Sequence, residues 1–394
     1  MATELKRVAI LAMLLSAVGC RAPWSTGSIL TPTTVATIAT AADTSEPTLT
    51  ATQTPTSKSS LTPAPTLKSS PQPTPTAAPP PTPSPTPQPA VQQGAVAQCC
   101  GVLAWADSDN LLVFDTPIDG NKGTYVVNVR DGSRAFLSSV FGTPSASGLI
   151  AFPNAQSGKT EIKRSNGDLV STLNNGGSVT WISPDGNRVV WLVDQGVPNT
   201  SSLVKRVVRL VTANVDGSGQ NSILEFEDSS VQWQADNYHI LTIARAQDGT
   251  HPGIWSIDTR DGTNGIVVPG TYIQALRVSP DGQRMAYMVT FSGDSNKDGI
   301  WVSNVDGSNA THLTEIGSYR WSNDSKSLWF LHLAPPGDGN DRVELIDIPT
   351  ETVVETVPLD GRVLNSEWEF SPGGDAIAFW NEADQTVHVQ SLNP

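Results

Sequence analysis

Three observations predict an all-β fold arranged as a β-propeller. Four short apolar strands recur in each of seven units, about forty-five residues long, between Cys99 and Pro394. A tight-turn phrase, Ser-Pro-Asp-Gly, marks the same place in several of these units. No segment keeps a helical apolar period over about eleven residues. Four strands at this repeat length suit a propeller blade and not a helical solenoid. The count is seven four-stranded blades, with six as the alternative because the second unit is short.

The turn phrase is complete at Ser183-Pro184-Asp185-Gly186 and Ser279-Pro280-Asp281-Gly282, each followed by an apolar run, Val189 to Leu192 and Met285 to Met288. Looser copies are Ser322-Asn323-Asp324-Ser325 and Ser371-Pro372-Gly373-Gly374. Proline presets φ at the second turn position, aspartate bonds back to the backbone, and glycine takes the left-handed conformation that closes the turn. First strands carry Trp105, Trp181, Trp233, Trp321 and Trp368. Third strands run into Asp131-Gly132, Asn166-Gly167, Asp216-Gly217, Asp261-Gly262 and Asp306-Gly307, pairs that supply the positive φ of short hairpins. The last unit reads through a third strand, Thr386 to Leu392. Its fourth strand is expected from Val96 to Leu103, which would close the ring and cover an open sheet edge.

The segment Trp181 to Gly186, with the apolar strand after it, resembles the TolB-like, WD-related propeller repeats of bacterial exported proteins. Residues 277–282 match with Val278 in place of the aromatic; Trp321 to Ser325 and Phe370 to Gly374 match in part. Units one, two and four lack the phrase. The resemblance covers about residues 99–394 and implies a fold, not a function. TolB has a small α/β domain ahead of its propeller, where this chain has a low-complexity stretch.

Residues 1–19 read as an export signal: Lys6 and Arg7, the apolar run Val8 to Leu15, then small residues before Cys20. The end of this segment resembles the lipobox of bacterial lipoproteins, with Ala17 where leucine is usual. That resemblance implies lipidation of Cys20 and an extracytoplasmic protein anchored to a bacterial membrane. Residues 20–95 are mainly Thr, Ser, Pro, Ala and Gln; residues 22–96 hold sixteen of the chain's thirty prolines. Such a composition cannot bury enough apolar area to offset the entropy of ordering, so a disordered, semi-rigid linker is expected. The folded domain is assigned to residues 96–394. Cys99 and Cys100 stand at its entrance; a vicinal disulfide, two free thiols and pairing between molecules are all open.

Charge narrows the partners. Residues 1–98 carry +2 and the whole chain −14, which leaves −16 on residues 99–394. An acidic folded part argues against nucleic acid and against electrostatic attraction to anionic lipid, so the lipid anchor is the expected membrane contact. A monomer is expected.

No catalytic constellation emerges. The chain has no Gly-x-Ser-x-Gly, no His-Glu-x-x-His and no phosphate-cradling glycine loop. A metal-dependent lyase would need several histidines on the central funnel, but His239, His251, His312, His332 and His388 scatter over different strands and turns. No cofactor is required by this reading. The sharpest local motif is Asp294-Ser295-Asn296-Lys297-Asp298-Gly299, which resembles the front half of a calcium loop with Asp294, Asn296 and Asp298 as oxygen ligands. Its twelfth position is Val305 and its flank is a strand, so a polar hairpin loop is the plainer reading and calcium the alternative.

Long, polar loops join second to third strands in four consecutive units, at Asp194 to Val204, Ala246 to Pro252, Thr290 to Asp298 and Ala334 to Asp341. Loops on a rigid scaffold are where binding usually resides. The function expected is a non-enzymatic module binding protein or glycan at the cell surface. A carbohydrate-active lyase or hydrolase with its site in the funnel, and an envelope assembly factor resembling TolB, are the alternatives. An enzyme should gather carboxylates or histidines in the funnel. A binding module should expose aromatic surface on the loop face.

Overall fold

The computed structural model describes residues 94–97, 101–116, 120–195, 207–246, 250–313, 317–334 and 339–392. The signal-like segment, Cys20, the linker as far as residue 93, Cys99 and Cys100 lie outside them. Every regular element among the described residues is a β-strand. Among the described residues, no helix is long and apolar enough to cross a membrane.

The described residues open with β1 (Gly94–Ala97) and then build antiparallel sheets in order. The first contains β2 (Val102–Trp105), β3 (Asn110–Asp115), β4 (Gly123–Asn128) and β5 (Arg134–Ser138). The second contains β6 (Thr143–Pro144), β7 (Leu149–Asn154), β8 (Lys159–Arg164) and β9 (Leu169–Leu173). A seven-stranded sheet follows: β10 (Thr180–Ile182), β11 (Arg188–Asp194), β12 (Val207–Asn214), β13 (Asn221–Trp233), β14 (His239–Ala246), β15 (Gly253–Asp258) and β16 (Asn264–Pro269). Next come β17 (Ile273–Val278), β18 (Arg284–Val289), β19 (Gly299–Asn304) and β20 (Thr311–Leu313), then β21 (Tyr319–Trp321), β22 (Ser327–His332), β23 (Arg342–Asp347) and β24 (Thr352–Pro358). The last sheet contains β25 (Val363–Phe370), β26 (Ala376–Asn381) and β27 (Thr386–Ser391), with β1 as its outer strand.

This is a β-propeller arrangement, and the burial pattern explains why. Middle strands are apolar on both faces: in β18, Met285 and Tyr287 pack toward β14 and β17, while Ala286 and Met288 pack toward β21 and β22. In β26, Ile377 and Phe379 join one cluster and Ala376 and Ala378 another. A sheet with two buried faces needs a neighbour on each side, which is satisfied all the way round only by a ring. First strands form its inside: β25 contacts β2, and the series continues through β6, β10, β13 and β17.

The repeated turns behave as their sequence requires. Gly186 adopts φ of 75° and its amide donates to the Ser183 carbonyl at 2.9 Å. Ser183 Oγ donates to Asp185 Oδ1 at 2.6 Å and accepts from the Arg188 amide at 2.9 Å. Ser279 repeats this pattern, and Ser371 does so with Asp375, four residues on, as the acceptor. Neighbouring turns also bond to one another: the Asp185 amide donates to Asn237 Oδ1, and the Asp281 amide to Ser325 Oγ.

Two features differ from the sequence expectation. The closing strand is Gly94–Ala97, paired with β27 through Gly94–Val389 and Ala95–His388; Val102–Trp105 belongs to the first sheet instead. Gly101, at φ of 136°, separates the two. Closure is fastened by Arg134, whose Nη2 donates to the Val96 carbonyl at 3.1 Å and whose Nη1 meets the fully buried Asp115 at 3.0 Å. The other difference is β13, which was expected to be two strands. Residues 221–227 pair with β12 and residues 226–233 with β14, so one strand ends one group of four and begins the next.

Deleting residues 94–98 should strip the ladder from β27 and bare buried Val387 and Val389. The expected cost is about 4 kcal/mol, or a fall of roughly 10 °C in unfolding temperature, read by calorimetry. An unchanged unfolding temperature would show that β1 does not close the ring.

Candidate functional site

Two places bring chemically capable side chains together. The first is on the inner ring, where β17, β21, β25 and β2 come side by side. Arg320 of β21 donates from Nε to Glu369 Oε1 of β25 at 2.7 Å and from Nη1 to its own neighbour's carbonyl, Tyr319 O, at 2.9 Å. Its guanidinium lies 4.8 Å from the centre of the Trp368 ring. Arg277 of β17 approaches Glu369 at 3.9 Å. Indole groups stitch the strands: Trp321 Nε1 donates to Arg277 O, Trp368 Nε1 to Ser318 Oγ, and Trp105 Nε1 to Glu369 O.

Local irregularity places these groups. In β17, Ala275 and Leu276 stand opposite Tyr287 alone, and Ala275 takes a left-handed φ of 56°. The Tyr319 hydroxyl, from the next sheet, donates to the Ala275 carbonyl. In β25, Leu364 to Glu367 stand opposite Trp380 alone. Bulges of this kind re-aim side chains. They set Glu367 against Gly101 so closely that a Cβ there would fall 2.2 Å from Glu367 Oε2.

Glu367 Oε2 is shielded from solvent and has no hydrogen-bond partner. Burial pushes its carboxyl up to about 7, against smaller downward pulls from the Val102 amide and the Arg320 charge. Burial, aided by nearby Arg277, lowers Arg320 to about 10, with Glu369 opposing, so it stays charged at neutral pH. A carboxyl poised near neutrality beside a guanidinium can give or take a proton. The sequence reading missed all four of these residues.

The second place is the edge of the β17–β20 sheet. Loops between second and third strands leave from the same end of the sheets as the connections between successive sheets, because antiparallel strands alternate in direction. That face carries Phe141, Val179, Tyr272 and Phe291, each at least 39% exposed, whereas the opposite face has Tyr238 alone among large exposed apolar side chains of the described residues. Tyr272 and Phe291 are neighbours: the Thr290 amide donates to the Tyr272 carbonyl at 3.2 Å. Phe291 holds a φ of 59°, rare for a bulky side chain.

Asp294, Asn296 and Asp298 follow directly. Asp294 Oδ1 accepts from the Asn296 amide at 3.0 Å, Asp294 Oδ2 faces Lys297 at 3.7 Å, and Asp298 Oδ1 accepts from the Ser292 amide at 3.0 Å. Both carboxylates therefore shape the loop. Among the described residues, no group of three or more His, Cys, Asp or Glu side chains stands close enough to hold a metal ion. Below the loop, Trp301 stacks on His312 with centroids 4.6 Å apart, and Trp301 Nε1 donates to Lys297 O.

The histidines do not converge. His239 pairs with Asp236, His332 with Glu344 and His388 with Asp384; His251 meets Thr250, and His312 the Asp298 carbonyl.

No protein-family model and no curated protein matches the chain. Solved structures do. Oligogalacturonate lyase from Vibrio parahaemolyticus is similar at a TM-score of 0.55 and 14% identity, over 76% of this chain and 89% of that one. An oligogalacturonate lyase in complex with manganese is similar at 0.54 and 14%, over 76% and 88%. TolB from Acinetobacter baumannii aligns at 0.41 and 16%, over 74% and 75%. At such identity the two lyases speak for the fold alone.

For Glu367 the folded state binds a proton more tightly than the unfolded chain, whose value is near 4.5. Its contribution to stability is fully present below pH 4.5 and is lost as pH rises through about 7. Glu367→Gln should therefore exceed the parent in stability by about 2 kcal/mol at pH 8, allowing for partial solvent screening, and by much less at pH 5. Urea unfolding at the two pH values measures it; an equal difference at both would contradict the assignment.

Proposed function

We propose that the protein is a surface-tethered, extracytoplasmic propeller of seven blades that acts as a non-enzymatic binding module for protein or glycan. The blade count takes the seven-stranded sheet as two four-stranded blades sharing β13. Tethering rests on the signal-like segment, Cys20 and the proline-rich linker.

The observation that carries the binding reading is the half-exposed pair Tyr272 and Phe291 beside the internally hydrogen-bonded polar loop Ser292–Asp298. Exposed aromatic rings offer a large contact area at low conformational cost, and a pre-shaped polar loop adds directional hydrogen bonds. Both lie on the face where the non-repeating loops emerge. Rings on such a face have little structural purpose, since neither contributes to a core cluster.

A second reading, a carbohydrate-active enzyme with its site in the central funnel, is favoured by Glu367. Burial raises its carboxyl toward neutrality on the innermost strand, with Arg320 and Glu369 close by.

The purified protein, incubated with a panel of insoluble polysaccharides and with immobilised envelope proteins, should retain at least one ligand. Tyr272→Ala combined with Phe291→Gly should weaken retention about tenfold, the glycine easing the left-handed backbone while removing the ring. Retention untouched by the double change would refute the loop-face reading. Polysaccharide cleavage abolished by Glu367→Gln would favour the enzyme instead.

A further inference from the structure

A cavity of about 480 Å³ opens where β13 leaves one group of strands and enters the next. One wall is a run of β13, Ser222 to Phe226; the other is the face of the β14–β16 strands, with Trp255 at its centre. The wall is also a strand edge. Asn221 to Leu224 pair with β12 on one side, and β14 joins β13 only from Phe226 onward. The backbone groups of Asn221 to Leu224 that point away from β12 therefore face no strand among the described residues.

The floor is apolar and holds one orphan donor. Phe226 meets Trp255 edge-on, with centroids 5.9 Å apart at 66°. Trp255 Nε1 is shielded from solvent and has no hydrogen-bond partner. At the mouth, Arg209 donates from Nε and Nη2 to Glu225 Oε1 at 3.0 and 2.9 Å. At the other end Ile223 packs on Gly262, where a Cβ would fall 2.7 Å from its Cγ2. The recess is thus bounded along the strand, with room for one or two large side chains.

We propose that this groove binds an extended segment of a partner protein, which adds as a strand to the free edge of β13 and seats one large apolar side chain against Phe226 and Trp255. Strand addition draws affinity from main-chain hydrogen bonds and specificity from a pocket for alternate side chains, and both parts are present here. Because residues 99–394 carry −16, the segment that fits is neutral or basic around its apolar residue. The site is separate from Tyr272 and Phe291 and does not depend on the loop-face reading.

The test uses the full protein and fluorescein-labelled, capped heptapeptides of alternating threonine and lysine around a central alanine, leucine, phenylalanine or tryptophan. Anisotropy should show at least one large central residue binding about tenfold tighter than alanine. Asn264→Trp, which fills the mouth from an exposed edge position, should weaken that binding about tenfold. Hydrogen exchange should show new amide protection within Asn221 to Leu224. The proposal fails if no large residue outperforms alanine, if Asn264→Trp binds like the parent, or if those amides gain no protection.

Discussion

Burial of both faces of every sheet is the constraint from which the rest of this structure follows. Middle strands such as β18 and β26 alternate their side chains between two apolar clusters, so no sheet is complete with a single neighbour. An open stack would leave two apolar faces bare at its ends. Bringing the ends together removes both, and the short β1 strand fastens the seam by covering β27 while Arg134 ties it to the first sheet. The tight serine turns serve the same end. They bond within themselves and to the next turn, which holds adjacent sheets at a fixed spacing.

Inside the ring the packing changes character. First strands meet through indole donors, a tyrosine hydroxyl and the Arg320–Glu369 pair, not through apolar contacts alone. Polar groups in so confined a place are costly unless matched. Most are matched; Trp233 Nε1 and Glu367 Oε2 are not, and for the carboxyl a raised affinity for its proton is the visible result. Chemistry and scaffold are therefore separated in depth. The regular outer turns build the ring, the bulged inner strands concentrate ionisable groups, and the irregular loops display aromatic rings.

Much of the architecture was legible in the sequence because it is written in local signals. Trp105, Trp181, Trp233, Trp321 and Trp368 all lie on first strands, and Asp-Gly and Ser-Pro-Asp-Gly pairs fall at hairpins, since each needs only its own few residues to act. What was illegible depends on distant partners. Ala275 carries no local sign of a left-handed backbone; its carbonyl is held by Tyr319 of the next sheet. Arg320 and Glu369 find each other across a sheet boundary that no periodicity marks. The continuous β13 was missed because its two halves each look like an ordinary strand, and only their pairing reveals that no turn intervenes. The exposed aromatic surface expected of a binding face was anticipated in kind, but Tyr272 and Phe291 were not singled out, because exposure is a property of the assembled face.

The pairing of Gly94 with Val389 also fixes an order of events in time. Of the described strands, the one that seals the ring is made before all the others and its partner after them. Each intermediate sheet can collapse on its predecessor as it arrives, through contacts close in sequence, whereas the seal spans nearly the whole folded chain and carries the full entropy of that loop. Until the last sheet is in place, the growing arc keeps an apolar face bare at each end and an unpaired β1. Completion of the last hairpin is thus the step that turns an extended, sticky arc into a closed particle.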